Sequence, residues 1–262
     1  MSPRSTGRYV TTTVAGESVK AFVPDTLPPQ LSAQQLATLA EPLREAGAAL
    51  GRLDLAGEMI PSLDWFIYAF VRKEALLSSE IEGTQTTLVD VLAWEQAEQP
   101  GASNLDDIEE VTNYVAAVNH AFKEIHSPKG PPISVRLLND CHRILMQGVR
   151  GATKQPGEPR RTQNWIGGSR PGNAVFVPPP PEQVADLLSD LERFIHAEEA
   201  LAPLLRIAMV HVQFETIHPY LDGNGRLGRR FVLHAGPCLC QSVGLFLCRG
   251  RAAGLWRRRP RA

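Results

Sequence analysis

The chain has 262 residues, 43% hydrophobic and 21% charged, which is an ordinary globular composition with room for one large domain or two small ones. Neither a signal peptide nor a membrane-spanning stretch is visible, so we expect a cytoplasmic protein without a membrane partner. The net charge of -1 hides an asymmetry, because residues 223–262 contain nine Arg and no Asp, Glu or Lys. The remaining chain is acidic, and we therefore expect no nucleic-acid partner.

The N-terminal part predicts a strand pair followed by two helices. Residues 9–23 alternate and are rich in Val and Thr, which predicts a strand or hairpin before the Pro-rich segment 24–29. Ser32 can cap the first helix, and residues 63–77 predict the second. The apolar residues expected to face the core are Leu36, Leu39, Ala40 and Leu43 on the first helix and Trp65, Phe66, Ala69, Phe70 and Leu76 on the second.

The middle of the chain predicts further helices and one hairpin. Thr87, with Asp90 three residues later, matches a capping box. Apolar residues recur at helical spacing in segments 106–122, 134–146, 182–196 and 201–217. Residues 160–177 place aromatic and β-branched residues around Gly and Pro, which predicts a β-hairpin. The predicted fold is mostly α, with one projecting hairpin and a short N-terminal strand or hairpin.

A glycine-rich loop follows the helix that ends at residue 217. Pro219 must end that helix at His218, because proline disfavours helical geometry in the residue before it. Two glycines flank an Asn in residues 223–225, and a new helix follows. The backbone N–H groups of such a loop converge on one point, where the helix dipole also favours an anion. The loop is therefore predicted to bind phosphate.

Four side chains around this loop suit phosphate chemistry. Arg226 and Arg229 share a face near a helix N-terminus, where cations are unfavourable unless they bind an anion. Asp222 suits Mg²⁺, which takes one or two carboxylates and adds phosphates and water. His218 is the candidate base, because its intrinsic pKa is near neutral. The alternative is a helix-loop-helix with a Gly-rich turn and solvated arginines.

The segment from residue 218 to 229 resembles the signature of the Fic (filamentation induced by cAMP) family, H-x-F-x-[DE]-G-N-G-R-x-x-R, with Tyr220 in place of Phe. The resemblance extends to residues 211–215 and to residues 160–179. It implies a Fic-type helical bundle and a protein adenylyltransferase, a nucleotidyltransferase that moves AMP from ATP to a Ser, Thr or Tyr hydroxyl of a target protein. Transfer of a phosphate or another nucleotide group stays open, as does a homodimer.

The resemblance also assigns roles to residues. His218 would be the catalytic base, and Asp222 would bind Mg²⁺. The 160–177 hairpin would be a flap that aligns the hydroxyl-bearing segment of the target as an added strand. Arg226, with the glycine loop, would bind the α- and β-phosphates, and Arg229 the γ-phosphate. The residues expected to bind nucleotide are Glu82, Ile166, Gly167, Gly223, Asn224, Gly225, Arg226, Leu227, Gly228 and Arg229.

A second motif lies near the predicted second helix. Ser78, Glu82 and Gly83 match the Fic inhibitory-helix pattern [ST]-x-x-x-E-[GN], with Gly83 as a C-cap. By resemblance, Glu82 would pair with Arg229 and keep ATP from binding productively. If this exclusion costs about 3 kcal/mol, activity falls on the order of a hundredfold. The alternative is a solvated acidic helix end.

We divide the chain into three regions. Residues 1–100 would form an N-terminal Fic-associated helical region with the inhibitory helix around 74–83, and residues 105–235 the Fic catalytic core. Residues 236–262 form an aberrant or truncated basic tail, rich in Gly, Cys and Arg, as an out-of-frame reading of a GC-rich gene would give. A tail that binds an anionic surface is the other interpretation. The competing function is a catalytically silent remnant that binds only nucleotide or a partner.

Overall fold

The computed structural model describes residues 6–96, 105–125, 127, 132–198 and 201–229, so the tail predicted for 236–262 lies outside the described residues. In chain order the elements are β1 (Gly7–Val14), β2 (Glu17–Pro24), α1 (Ala33–Met59), α2 (Leu63–Glu80), α3 (Leu88–Glu95), α4 (Leu105–Ile125), α5 (Val135–Leu145), α6 (Pro181–His196) and α7 (Pro203–Ile217). Residues 224–229, the motif helix, are also helical. The predicted mostly α fold is confirmed. In the described ranges, no helix combines the length and apolarity that a bilayer crossing requires.

The predicted N-terminal hairpin is present. β1 and β2 pair antiparallel, in a register that begins with Gly7 opposite Pro24. Alternate side chains of β2 are buried, namely Val19, Ala21 and Val23. The Phe22 N–H donates to the Val177 carbonyl at 2.9 Å, which ties β2 to the segment before α6.

The burial predicted for α1 and α2 is wrong for most of their apolar residues. The Ser32 hydroxyl caps α1 by accepting from the Gln35 N–H at 3.3 Å, but no residue of α1 is buried. Three aromatic side chains of α2 are exposed, namely Trp65, Phe66 and Phe70. Apolar residues surround α2 on every side, so their spacing did not reveal which side packs. The buried side carries Arg72 and three small residues, Ala75, Ser78 and Ser79.

The core lies among α4, α5, α6 and α7, with α2 and α3 packed on α4. Thr87 caps α3 together with Asp90, as predicted. The apolar stripes predicted on α4 and α5 are buried, namely Ile108, Val111, Val115, Val118, Leu137, Leu138, Cys141 and Leu145. The end of α7 also lies in this core, with Phe214 and Ile217 fully buried.

Residues 160–177 turn back on themselves, but the β-hairpin predicted there is reduced to one antiparallel bridge, between Ile166 and Phe176. Gly167 and Gly168 have φ of 68° and 75°, and Pro171–Asn173 forms a 3-10 turn. Regular β-strand pairing cannot continue through residues in the left-handed conformation or through a turn that contains proline. This segment, the 160–177 loop, therefore has one bridge and no strands.

Candidate functional site

The site begins where α7 ends. His218 adopts a left-handed conformation (φ 50°, ψ 62°), while its N–H still donates to the Phe214 carbonyl at 2.9 Å. Pro219 prevents the helix from continuing. A left-handed conformation is uncommon for a residue other than glycine, and it persists only where the surroundings enforce it. The turn leads into the motif loop, residues 218–223.

The His218 imidazole is neutral at physiological pH. Burial, followed by the nearby charge of Arg160, lowers its pKa to about 4. A general base must be unprotonated before it can accept a proton, so the histidine is in the required form. Its Nδ1 is buried, so Nε2 is the nitrogen that would accept the proton in such a role.

Arg160 supports this turn from behind, a role that the sequence analysis did not assign. Its Nε donates to the His218 carbonyl at 2.9 Å, and its Nη2 donates to the Pro179 carbonyl at 2.5 Å. Its backbone N–H donates to the Pro219 carbonyl at 2.8 Å. Burial lowers the pKa of the guanidinium to about 10, so it stays charged at neutral pH. Nothing in the sequence distinguished it from Arg161, which is exposed.

Asn224 closes the motif loop with its side chain. Its Oδ1 accepts from the Tyr220 N–H at 2.8 Å, and its Nδ2 donates to the Tyr220 carbonyl at 2.7 Å. Both residues are buried, and the Tyr220 hydroxyl donates to Asn139 Oδ1 at 2.7 Å. The structure therefore gives Asn224 a loop-closing role, and its binding to nucleotide stays a prediction.

His142 on α5 fixes the loop from the opposite side, and sequence analysis also missed it. Its ring stacks on Tyr220 with centroids 3.9 Å apart. Nδ1 accepts from the Gly157 N–H at 2.8 Å, so the neutral ring carries its hydrogen on Nε2, which donates to the Asp222 carbonyl at 3.0 Å. Burial lowers its pKa to about 4, although the Asp222 carbonyl acts in the opposite direction. The neutral tautomer thus positions the backbone of Asp222.

The Asp222 carboxylate is ionised and partly accessible. Oδ1 accepts from the Gly223 N–H at 2.7 Å, and Oδ2 pairs with Lys154 Nζ at 3.1 Å. Burial alone would raise its pKa, but the Lys154 and Gly223 hydrogen bonds and the charges of Lys154 and Arg226 outweigh it and lower the pKa. A Cβ at Gly151, which has φ of 87°, would lie 2.8 Å from Oδ2, so a larger residue there would be strained and would displace the carboxylate.

This donor set fits a Mg²⁺ ion that is shared with phosphates. Such an ion needs only one or two carboxylates, and Asp222 supplies one. In the part of the chain that the structure describes, no cluster of three or more His, Cys, Asp or Glu could form a metal site made of protein alone. Binding of Mg²⁺ at Asp222 therefore stays a prediction that depends on the phosphates.

The start of the motif helix has the expected glycine geometry. Gly223 has φ of 74°, and its carbonyl accepts the first helical hydrogen bond, from the Leu227 N–H at 3.0 Å. A Cβ at Gly225 would lie 2.9 Å from Glu82 Oε1 and 3.0 Å from Arg229 Nη1. Glu82 therefore lies directly against the backbone that is predicted to bind phosphate.

The structure brings Glu82 and Arg229 together. Arg229 Nη2 donates to Glu82 Oε1 at 2.8 Å and to the Ser78 carbonyl at 3.0 Å, and its Nε donates to the Ser78 hydroxyl at 2.8 Å. α2 ends at residue 80, so Glu82 lies in a turn, in which Gly83 has φ of 96°. The ion pair is partly accessible, with side chains 38% and 26% exposed for Glu82 and Arg229.

Arg226 forms an ion pair with a buried carboxylate, that of Glu110, which the sequence analysis missed. Its Nη1 lies 3.2 Å from Glu110 Oε2, and both side chains are almost inaccessible. Helical spacing places Glu110 on the face of α4 that carries Tyr114 and Ala117, both fully buried, and an acidic residue there was a detectable signal. Phosphate binding by the Arg226 side chain stays a prediction.

The other predicted nucleotide-binding residues lie around the motif. Ile166 and Gly167 are in the 160–177 loop, which is tied to the motif by a 3.2 Å hydrogen bond from Asn164 Nδ2 to the Tyr220 carbonyl. Leu227 is buried in the core, and Gly228 packs against α7. Contacts of these residues with nucleotide stay predictions.

Two family models match the chain, and together they cover more than two thirds of it. Residues 40–123 match the Fic/DOC family N-terminal model, and residues 132–235 match the Fic/DOC family model. The chain belongs to the Fic/DOC family. The turn with Glu82 lies in the first matched region of this Fic chain, and the glycine-rich motif lies in the second.

Curated relatives match part of this Fic chain. Protein adenylyltransferase Fic of Drosophila grimshawi is 39% identical over 121 residues, and the Culex quinquefasciatus protein of the same name is 32% identical over 122 residues. Each alignment covers 45% of this chain and 23% of the relative. The chain thus aligns with about a quarter of the length of these relatives.

Solved structures share the fold. A Fic family protein from Desulfovibrio desulfuricans G20 has a TM-score of 0.59 at 25% identity, with 88% of this chain and 67% of that chain covered. Fic-1 from C. elegans has a TM-score of 0.58 at 21% identity, with 78% and 61% covered. The Fic-type helical bundle implied by the sequence is confirmed.

Proposed function

We propose that this Fic chain is a protein adenylyltransferase, with ATP as co-substrate and a Ser, Thr or Tyr hydroxyl of a target protein as acceptor. One observation carries the proposal: a neutral histidine, His218, borders a glycine-rich helix start that also holds the carboxylate of Asp222. Base, phosphate site and metal ligand are thereby within one loop. The curated relatives are named for this activity.

In the proposed reaction, the acceptor hydroxyl oxygen attacks the α-phosphorus of ATP. The new P–O bond forms as the bond from the α-phosphorus to the bridging oxygen of the β-phosphate breaks, and pyrophosphate leaves with that electron pair. Nε2 of His218 takes the hydroxyl proton. The backbone N–H groups of residues 223–225 and the dipole of the motif helix stabilise the phosphate charge. Positioning and charge stabilisation supply most of the rate, as in phosphoryl transfer.

Asp222 would bind Mg²⁺ together with the phosphates, and the ion would neutralise their negative charge. Lys154 now pairs with this carboxylate and would have to release it. Arg229 is accessible enough to bind the γ-phosphate. Arg226 is held by Glu110, which favours a supporting role beneath the loop.

Glu82 would act as a brake by occupying Arg229 and lying against Gly225. A γ-phosphate would compete with this carboxylate for the same guanidinium. Because both side chains are more than a quarter exposed, water screens their attraction. We therefore expect an inhibition of about tenfold, less than the hundredfold that a buried pair would give.

The target segment would lie along the 160–177 loop. Backbone pairing beside the bridge of Ile166 and Phe176 would align the acceptor with little dependence on its sequence. Trp165 and Val175 expose apolar surface there.

Replacing the base tests the proposal. In His218→Ala, transfer of AMP from ATP labelled at the α-phosphate should fall by about two to four orders of magnitude, since general base catalysis is lost. Binding of a fluorescent ATP analogue should change little, because the glycine loop remains. Labelling by His218→Ala equal to that by wild type would show that His218 is not the base.

A further inference from the structure

The Glu82 turn, residues 81–84, makes few backbone hydrogen bonds. The Glu82 and Thr84 N–H groups donate to the Ser79 carbonyl at 2.9 and 3.2 Å, and the Gly83 N–H donates to the Glu80 carbonyl at 3.0 Å. The turn follows the end of α2 and is largely exposed. Local bonds of this kind open readily, so the position of Glu82 depends on contacts from elsewhere.

Arg150, in the loop after α5, supplies one such contact. Its Nη2 donates to the Glu82 carbonyl at 3.0 Å, while its Nε lies 3.6 Å from Glu110 Oε1. One guanidinium therefore connects the backbone of the Glu82 turn to a carboxylate inside the bundle. The Arg150 side chain is 62% exposed, so its removal leaves no cavity in the core.

Glu110 connects this contact to the motif helix. Its side chain is 2% exposed, and its Oε2 accepts from the Thr84 hydroxyl at 3.0 Å as well as from Arg226 Nη1. Apart from the ion pair with Arg229, the Glu82 turn thus has two attachments to Glu110, directly through Thr84 and indirectly through Arg150. The same carboxylate also binds Arg226, so the Glu82 turn and the motif helix are both attached to Glu110.

We propose that Arg150 is a positioning residue that holds the Glu82 turn in its inhibitory place. It bonds to the backbone carbonyl of Glu82, so it positions the carboxylate without competing for it. Loss of Arg150 lets the turn open more often, and Arg229 is then free for phosphate during a larger fraction of the time. This inference rests on the proposed function and adds a residue to its regulation.

Hydrogen exchange of the full-length chain tests the positioning directly. In Arg150→Ala, the amides of residues 82–84 should exchange several-fold faster, since one hydrogen bond of a charged donor is lost. Amides of α5 and α6 should be unchanged. Arg193→Ala is the matched control, because this exposed arginine pairs with Asp190 on the same helix, away from the Glu82 turn. Equal exchange of residues 82–84 in wild type and Arg150→Ala would overturn the proposal.

Transfer of AMP supplies a second readout, through a double-mutant cycle. Arg150→Ala should raise labelling roughly three- to fivefold, less than Glu82→Gly, because only one of the two attachments of the turn to Glu110 is lost. Arg150→Lys should lie between wild type and Arg150→Ala, since one ammonium does not reach both partners equally well. In the Glu82→Gly background, Arg150→Ala should have no further effect, because no carboxylate remains to be positioned.

The outcomes separate this proposal from the proposed function. A decrease in labelling by Arg150→Ala in both backgrounds would mean that Arg150 supports the fold or the reaction, and the proposal would fail. If Glu82→Gly and wild type both fail to label any protein, the proposed transfer is wrong, and the exchange rates alone decide on Arg150.

Discussion

Buried polar side chains determine the shape of the motif loop. Asn224, His142 and Arg160 all form hydrogen bonds with backbone atoms of the motif loop, and all three side chains are buried. Removing one partner of a buried hydrogen bond costs more than the bond itself contributes, because the other partner is left unsatisfied. In the proposed reaction these residues therefore act through the geometry of the loop, whereas His218 acts through its own Nε2.

Asn224 gives the clearest test at this scale. Asn224→Ala leaves the Tyr220 N–H without its acceptor, and the free energy of unfolding should fall by about 1–3 kcal/mol. Urea denaturation followed by circular dichroism measures this change. Asn113→Ala is the control: its amide donates to the Gln147 carbonyl in an exposed position, so the loss should be smaller. A stability of Asn224→Ala equal to that of wild type would contradict the loop-closing role.

The residues of the site that are contiguous in the chain were predictable from the sequence. His218, Asp222 and the glycines follow one another within a single loop, so their order and spacing along the chain already indicate phosphate chemistry. His142 and Arg150 reach the site from the distant α5 region, and each is a single residue in an unremarkable segment. Their roles depend on tertiary contacts, which spacing along the chain does not contain.

Elements with a one-sided apolar pattern were predictable, and those without one were not. α4 and α5 carry a clear stripe, and the structure buries it. α2 is apolar on every side, so the packed face was predicted wrongly. The 160–177 loop has the residue types of strands, but its glycines and the turn at Pro171–Asn173 limit pairing to one bridge.

The attachment of α5 to the motif loop makes stability depend on pH. Burial lowers the pKa of His142 from 6.5 to about 4, so between these values the unfolded chain binds a proton that the folded chain does not. Stability is therefore fully present above about pH 6.5 and is lost as the pH falls towards 4. From about pH 7 to pH 5, His142 should account for a loss on the order of 2 kcal/mol.

Urea denaturation at the two pH values checks this expectation. His218 shifts stability in the same direction, and Glu215, whose pKa burial raises, shifts it in the opposite direction. The difference between wild type and His142→Gln isolates His142, since the variant keeps a polar group but no titrating ring. Identical pH dependence in the two proteins would contradict a neutral, buried His142.

Across the whole molecule, the proposed brake and the proposed catalytic motif come from different parts of the chain. The Glu82 turn belongs to the region that matches the Fic/DOC N-terminal model, and the motif belongs to the Fic/DOC region. Their contact at Arg229 joins the two regions at the site itself. The proposed brake therefore requires both regions to be folded and in contact.

The most direct test of the central claim is mass spectrometry of proteins incubated with ATP, Mg²⁺ and the Glu82→Gly variant. We expect a hydroxyl side chain that gains the mass of an adenylyl group, in about tenfold greater yield than with wild type. The Glu82→Gly/His218→Ala double variant should give no such product. No adduct with Glu82→Gly, an adduct other than AMP, or an undiminished AMP adduct with the double variant would contradict the account.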